Sequence, residues 1–349
     1  MELLAPAGSY GALVAAVQAG ANGVYLGGQQ FGARHYAANF SAEELKSAVD
    51  YCHLHHVPVY ITVNTLVRDD EIPALKKYLI ELASLPVDAI IVQDLAVAKI
   101  AQEVAPILDI HGSTQMTVHN LEGAKALEKL GFSRIVLARE LSLEEIGTIC
   151  QGTTLEVEVF AHGALCVCYS GQCLMSSILG GRSGNRGKCA QPCRLPYQLE
   201  KDGKTVAHFS GEYLLSPKDL NFLDLLPELK KAGVISLKLE GRMKKPEYVA
   251  TVVDAYRNAL DQKNENSQSK LEGVFHRGFS QGYLKGIPGK SLMSSERPNN
   301  QGSCIGEVIR SKGFFAELNL TSPVAVGDLL EFRWNKDERT IYTIKDSDV

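Results

Sequence analysis

No apolar run in this 349-residue chain approaches the roughly 18 residues that a membrane-spanning helix needs, so no membrane partner is expected. A secretory leader is also lacking: Met1-Glu2-Leu3-Leu4-Ala5-Pro6 carries no basic stretch ahead of an apolar one, and the chain reads as cytoplasmic. Basic charge is not in surplus. The 36 Lys and Arg face 40 Asp and Glu, a net charge of −4, so any contact with nucleic acid must use a local basic patch. Low-complexity tracts and repeats are missing, and 45% hydrophobic with 22% charged residues is an ordinary globular composition. There is no His-Glu-x-x-His helix and no Gly-x-Ser-x-Gly turn. The segment Gly181–Lys188 mimics a phosphate loop, but its glycines are one residue too far apart. Cys189 also stands where Ser or Thr would bind magnesium.

What is present is alternation. Short β-rich runs at 2–7, 23–26, 57–64, 89–93, 110–113, 134–138, 155–160 and 235–239 are separated by helical patterns. Those patterns fall at 9–19, 42–53, 72–83, 96–104, 121–130, 143–149 and 220–232, and a last one at 247–260 closes the series. The runs are almost continuously apolar, as parallel strands covered on both faces should be. Eight such units within 1–262 predict a TIM-like (β/α)8 barrel, with a doubly wound open sheet as the alternative. One connection is long: 161–233, after strand seven, holds most of the cysteines and a predicted hairpin, 197–200 with 205–209. A linker at 263–300, polar at first and then basic and aromatic, leads to short strands at 305–309, 315–318, 329–333 and 340–344. These predict a small C-terminal β domain over 301–349.

Five of the eight cysteines lie within 28 residues: Cys166, Cys168, Cys173, Cys189 and Cys193. In a reducing compartment such clustering points to metal or catalysis rather than to disulfides. Cys166, Cys173, Cys189 and Cys193 supply four thiolates from one loop, enough for a tetrahedral zinc or an iron–sulfur cluster. Structural zinc favours two close pairs, and only the second pair here is close, so the spacing suits a cluster with separated corners better. Spacing alone does not eliminate Cys168, which projects to the same side as Cys166 on an extended chain.

Polar residues gather at the predicted C-terminal strand ends: Asn64, Gln93, Asp94, Gln115, Arg139, Glu140, His162, Glu240 and Arg242. A barrel would carry them to one rim, where barrel active sites lie. Helix caps, rim ion pairs (Arg139 with Glu140 in particular) and a core histidine are the structural alternatives. Basic groups are local. Arg182, Arg186, Lys188 and Arg194 lie in an acid-free stretch, as do Arg277, Lys285 and Lys290 among His276, Phe275, Phe279 and Tyr283. Cations interleaved with aromatics suit a phosphate backbone and stacked bases.

The block Glu158-Val-Phe-Ala-His-Gly-Ala-Leu-Cys-Val-Cys-Tyr-Ser-Gly-Gln-Cys-Leu-Met-Ser176 resembles the signature of the collagenase-like U-32 peptidase family, and the resemblance covers nearly all of 1–300. Tyr25–His35, Ile91–Asp94, Ser113–Gln115, Val136–Leu141, Gly181–Tyr197 and Lys238–Arg242 look closest to the branch that hydroxylates a cytidine of 23S ribosomal RNA. The resemblance implies a 4Fe-4S cluster on Cys166, Cys173, Cys189 and Cys193. It implies oxygen-independent hydroxylation of a pyrimidine in ribosomal or transfer RNA, or of an aromatic ring of a quinone precursor, with prephenate as a required metabolite of the RNA-modifying members. On this reading Arg139, Arg242 and His162 position an anionic co-substrate, while Glu140 and Glu240 are proton-transfer candidates. Asn64, Gln93, Asp94, Gln115, Tyr169, Arg182, Arg186, Lys188, Arg194 and Arg277 contact substrate. The alternatives are a peptidase using Cys166 with His162, and a non-catalytic RNA-binding or redox-sensing scaffold. The chain stops at 348–349 in a strand-rich stretch, short of that branch's length, and reads as a fragment or a short relative.

Overall fold

The computed structural model describes residues 1–206, 211–263, 266–313, 315–334 and 339–346. They divide into two compact units, Met1–Gln301 and Gly302–Val349.

In the first unit eight strands close into a ring: β1 (Glu2–Pro6), β2 (Gly23–Leu26), β3 (Val59–Val63), β4 (Ala89–Val92), β5 (Asp109–Gly112), β6 (Arg134–Val136), β7 (Glu156–Ala164) and β8 (Ser236–Leu239). Neighbours pair in parallel, and β8 pairs with both β7 and β1, which completes the circle. Helices follow the strands, so the expected (β/α)8 barrel is the fold. The reason lies in the alternation within each strand. Leu3, Ala5, Val24, Leu26, Val59, Ile61, Ile90, Val92, Ile135, Val157, Val159, Leu237 and Leu239 share one core with the surrounding helices. Burying each of the larger ones contributes roughly 1.5–3 kcal/mol. The intervening residues face the barrel interior, where Leu4, Tyr25, Tyr60, Ala89 and Ile91 form a second, smaller cluster.

Helix starts are set by side-chain caps. Ser41 and Ser142 each form a capping box, with Glu44 and Glu145. Asp94 and Asn120 cap the helices Leu95–Val104 and Leu121–Lys129. One expected helix is shorter than the pattern at 220–232 predicts. Asp219–Asn221 is a strand, and the helix is only Leu226–Ala232. Pro227 is tolerated in a first turn but not inside a helix, so the helix begins there. The Asp219–Asn221 strand runs antiparallel to the end of β7 and parallel to Phe279–Ser280, extending the barrel sheet beside the long loop.

Glu200–Lys201 pairs with Lys204–Thr205 as a hairpin at the expected turn; 207–209 of its second predicted strand lie outside the described residues. The polar stretch read as a linker includes a helix, Ser267–Gly273, and Leu271 within it is fully buried. The second unit holds two antiparallel hairpins, Gly306–Lys312 with Phe315–Leu320 and Leu329–Arg333 with Arg339–Thr343. Among the described residues no helix is long and apolar enough to cross a membrane.

Candidate functional site

Glu240, just past β8, forms an ion pair with Arg34 at 3.0 Å. Burial alone would raise its carboxyl, but the charge and hydrogen bond of Arg34, with Arg242 and Arg139 further off, hold it below the ordinary carboxylate range. Arg242 is 4% exposed and donates to the Thr62 hydroxyl at 2.8 Å. Burial, with Arg34 beside it, brings its guanidinium down to about 10, so it stays charged at neutral pH. Room for Arg242 is made by two glycines. A Cβ at Gly8 would stand 1.7 Å from the Arg242 carbonyl oxygen, and one at Gly27 2.4 Å from its guanidinium. Tyr25 closes the wall by donating to the Leu239 carbonyl. Gln93, in the inward register of Ala89 and Ile91, is buried with Oε1 unpartnered among the described residues. Three guanidinium groups around one carboxylate leave the mouth positive, a setting suited to a carboxylate or phosphate ligand.

Sequence reasoning missed Arg34, Tyr25, Thr62 and the two glycines. Arg34 lies on an irregular loop after β2, and only the resemblance of Tyr25–His35 singled out that stretch.

Arg139 and Glu140 do not pair with each other. Both converge on the Ser170 hydroxyl, which Arg139 Nε approaches at 3.0 Å and Glu140 Oε1 at 3.3 Å; Glu140 Oε2 is buried without a partner among the described residues. Ser170 belongs to the cysteine loop, which is thereby tied to the end of β6. Two glycines let the loop lie this close. Gly171 (φ +80°) sits where a Cβ would be 2.1 Å from the Gln115 carbonyl oxygen. Gly187 (φ +75°) sits where one would be 2.6 Å from that of Gly32.

The loop brings its five cysteines into one neighbourhood. Burial raises the Cys193 thiol, Arg194 opposes this, and Cys166, Cys189 and Cys173 are all near enough to raise it further. Cys168 is raised by burial, then by Cys173 and Cys166. Cys189 in turn acts on Arg34, which links the loop to the mouth. Among the described residues no three His, Cys, Asp or Glu side chains are arranged to hold one metal ion. A single zinc would draw its sulfurs to about 3.8 Å of one another, given Zn–S bonds of ~2.3 Å.

Several predicted contact residues are engaged elsewhere. His162 is 1% exposed and packed among Tyr248, Tyr256 and Phe279. Burial, then His276, pushes it down to about 3, so it is a neutral, buried histidine, its Nε2 without a partner among the described residues. Arg186 is held by both oxygens of Glu71, at 2.7 and 2.6 Å, and by the Leu66 carbonyl. Arg194 donates to Ser216, Pro217 and Leu165, and pins the loop beside Cys193. Arg277 pairs with buried Asp219. Asn64 accepts from the Ala33 N–H, and Asp94 from those of Val67 and Ala96. These polar groups serve the fold because each already has a protein partner. Gln115 is half-buried in the turn Thr114–Met116. Tyr169 and Lys188 are exposed on the loop, and Arg182 lies over the Tyr36 ring at 5.0 Å.

The model of peptidase family U32 matches residues 8–294. The 23S rRNA 5-hydroxycytidine C2501 synthase of Escherichia coli is 37% identical, over 97% of this chain and 55% of its own length. The tRNA hydroxylation protein P1 of Bacillus subtilis is 36% identical, over 82% of this chain and 72% of its own. A collagenase of Porphyromonas gingivalis is 34% identical, over 82% and 73%. The chain thus spans about half the length of the Escherichia coli relative. With a matching model over most of the chain, and relatives this similar over nearly all of it, the chain belongs to peptidase family U32.

Proposed function

We propose that this chain hydroxylates a pyrimidine base of RNA, a ribosomal cytidine first among the candidates, with a 4Fe-4S cluster on Cys166, Cys173, Cys189 and Cys193. The observation that carries the reading is a juxtaposition. The thiols of one loop lie near one another, and one of them, Cys189, is close enough to act on Arg34, whose guanidinium pairs with Glu240 in the positive barrel mouth. Similarity to relatives named for rRNA and tRNA hydroxylation supports the substrate class.

The donor set fits such a group. Four soft thiolates are what a cluster takes. Arg194 beside Cys193 opposes the rise that burial imposes on that thiol. Bound there, the cluster supplies one-electron chemistry. The chain's own residues do the rest. Arg242, oriented by Thr62, and Arg139 present N–H groups to an anionic co-substrate, for which a dicarboxylate such as prephenate is the matching chemistry. Arg34 neutralises Glu240 and holds it off that anion. Glu140, with one free oxygen at the rim, is the better placed of the two predicted proton carriers, since Glu240 is ionised and paired.

The peptidase alternative needs a base beside Cys166, and His162 is walled off by three aromatic rings. Anaerobically purified protein is expected to contain iron and sulfide in equal amounts and to lose both in Cys173→Ala. RNA from a deletion strain is expected to lack one hydroxylated base by mass spectrometry, restored by the wild-type chain but not by Cys173→Ala. Colourless, iron-free protein from oxygen-free expression overturns the cluster; an unchanged RNA profile overturns the activity.

A further inference from the structure

Beside the cysteine loop lies an open pocket of about 350 Å3, lined by Phe279–Gly282, Lys285–Pro288, Ser291 and Lys218. It shares no lining residue with the barrel mouth. No carboxylate lines it, and the surrounding stretch 273–295 contains no acidic residue. Lys218 and Lys285, with Lys290 next to the wall, make no ion pair among the described residues. They therefore contrast with Arg186, Arg194 and Arg277, whose charges the fold already uses. Gly282 and Gly286 take left-handed turns (φ +56° and +105°) that shape the wall. The Phe279 ring is fixed by stacking on His276, with centroids 4.5 Å apart.

The pocket's place in the fold matters as much as its charge. Lys218 follows Pro217, whose carbonyl accepts from Arg194, the neighbour of Cys193. At its other end the wall continues into Tyr283, whose phenol is raised by burial and, less strongly, by nearby Glu140 and Tyr169. The pocket wall is thus tied to the cysteine loop through Lys218, Pro217 and Arg194.

We propose that this pocket binds a phosphodiester of single-stranded RNA flanking the base that enters the barrel mouth, with Lys218 and Lys285 contacting the phosphate oxygens. Lysine is a mobile point charge suited to a backbone whose sequence is not read. A cavity of this size sits at the small end for ligand sites and suits one nucleotide rather than a duplex. The proposal rests on the RNA reading above and names where that RNA is gripped.

The test uses the full chain purified without oxygen and a short fluorescein-labelled single-stranded RNA, read by anisotropy over a range of salt. Lys218→Ala/Lys285→Ala is expected to weaken binding ~5–10-fold at moderate salt. It should also flatten the log–log salt slope by about 0.7, the value for one phosphate no longer neutralised. In turnover KM should rise with kcat unchanged. Lys46→Ala/Lys76→Ala, on exposed helix faces elsewhere, should change nothing. A double variant that binds like wild type overturns the proposal, as does wild-type protein that binds no RNA. Equal displacement by polyglutamate also overturns it, since the pocket would then read charge alone. A chain that binds RNA through these lysines yet leaves it unmodified overturns only the hydroxylase reading.

Discussion

Inside the N-terminal end of the barrel, Arg134 donates to Glu2, Glu156 and Glu158, while Lys238 and Ser236 complete the shell around Glu158. At the C-terminal end, Arg242 makes one side-chain hydrogen bond, and Gln93 and Glu140 each keep an oxygen without a partner among the described residues. Both ends remove charge from water. Only the first fills nearly every donor and acceptor from within the protein; His111 Nδ1 is its exception. Burial, then Arg134 and Lys238, keeps that imidazole neutral. Unfilled polar groups are costly in a low-dielectric interior, so a fold that retains them at one end holds them ready for something that binds there. The contrast follows the general rule that barrels place stability below and chemistry above.

The largest expected effect breaks the lower end. Arg134→Met leaves Glu158, 1% exposed, with Lys238 and Ser236 alone, and leaves Glu2 only the Tyr60 and Ser236 hydroxyls. Removing one member of a buried charged set costs about 3–5 kcal/mol. Urea denaturation should show that loss as a shifted midpoint with an unchanged slope. Arg134→Met/Glu158→Gln should recover part of it, because the uncompensated charge goes too. If the single variant costs less than about 1 kcal/mol, the network is not what holds this end, and the contrast fails.

The upper end should respond the other way. Arg242→Lys keeps a cation but loses the planar fork. Its stability should change by about 1 kcal/mol or less, while modified RNA in a complemented deletion strain falls at least ~10-fold. A stability loss as large as that of Arg134→Met would make both ends structural.

The barrel was legible because its outward strand positions are aliphatic almost without exception, a period that survives any choice of inward residue. Gln93, Glu240 and Arg242 were legible as strand-end polar groups for the same reason. What the pattern cannot convey is which charge already has a partner. Glu240 meets Arg34 across 206 residues of sequence, Arg186 meets Glu71 across 115, and Arg277 meets Asp219 across 58. Read along the chain Arg186 and Arg277 look free to meet RNA, whereas Lys218, which no motif singled out, makes no ion pair among the described residues. His162 misled for a related reason: its strand end points it between β7 and the helix Pro246–Leu260, and away from the mouth.

The smallest expected effect concerns an ion pair on the cysteine loop at the upper end. Glu71 and Arg186 clamp the cysteine loop to the start of the helix Ile72–Ala83. The Arg186 hydrogen bonds, helped by the Arg68 N–H and opposed by desolvation, hold the Glu71 carboxyl down to about 2, against an ordinary 4.5. A carboxyl depressed on folding contributes stability that is fully present above about pH 4.5 and disappears as pH falls towards 2. Both side chains are partly exposed, 31% and 23%, so solvent screening limits the contribution to about 1 kcal/mol or less. Glu71→Gln should therefore be slightly less stable than wild type at neutral pH, and the two should converge between pH 4.5 and 2. Amide exchange at Leu66, which donates to the Asn185 carbonyl, and at Gly187 should quicken at neutral pH, since the clamp holds that turn. Superimposable stability curves and unchanged exchange would mean that the pair contributes nothing, and would return Arg186 to the set of cations available to RNA.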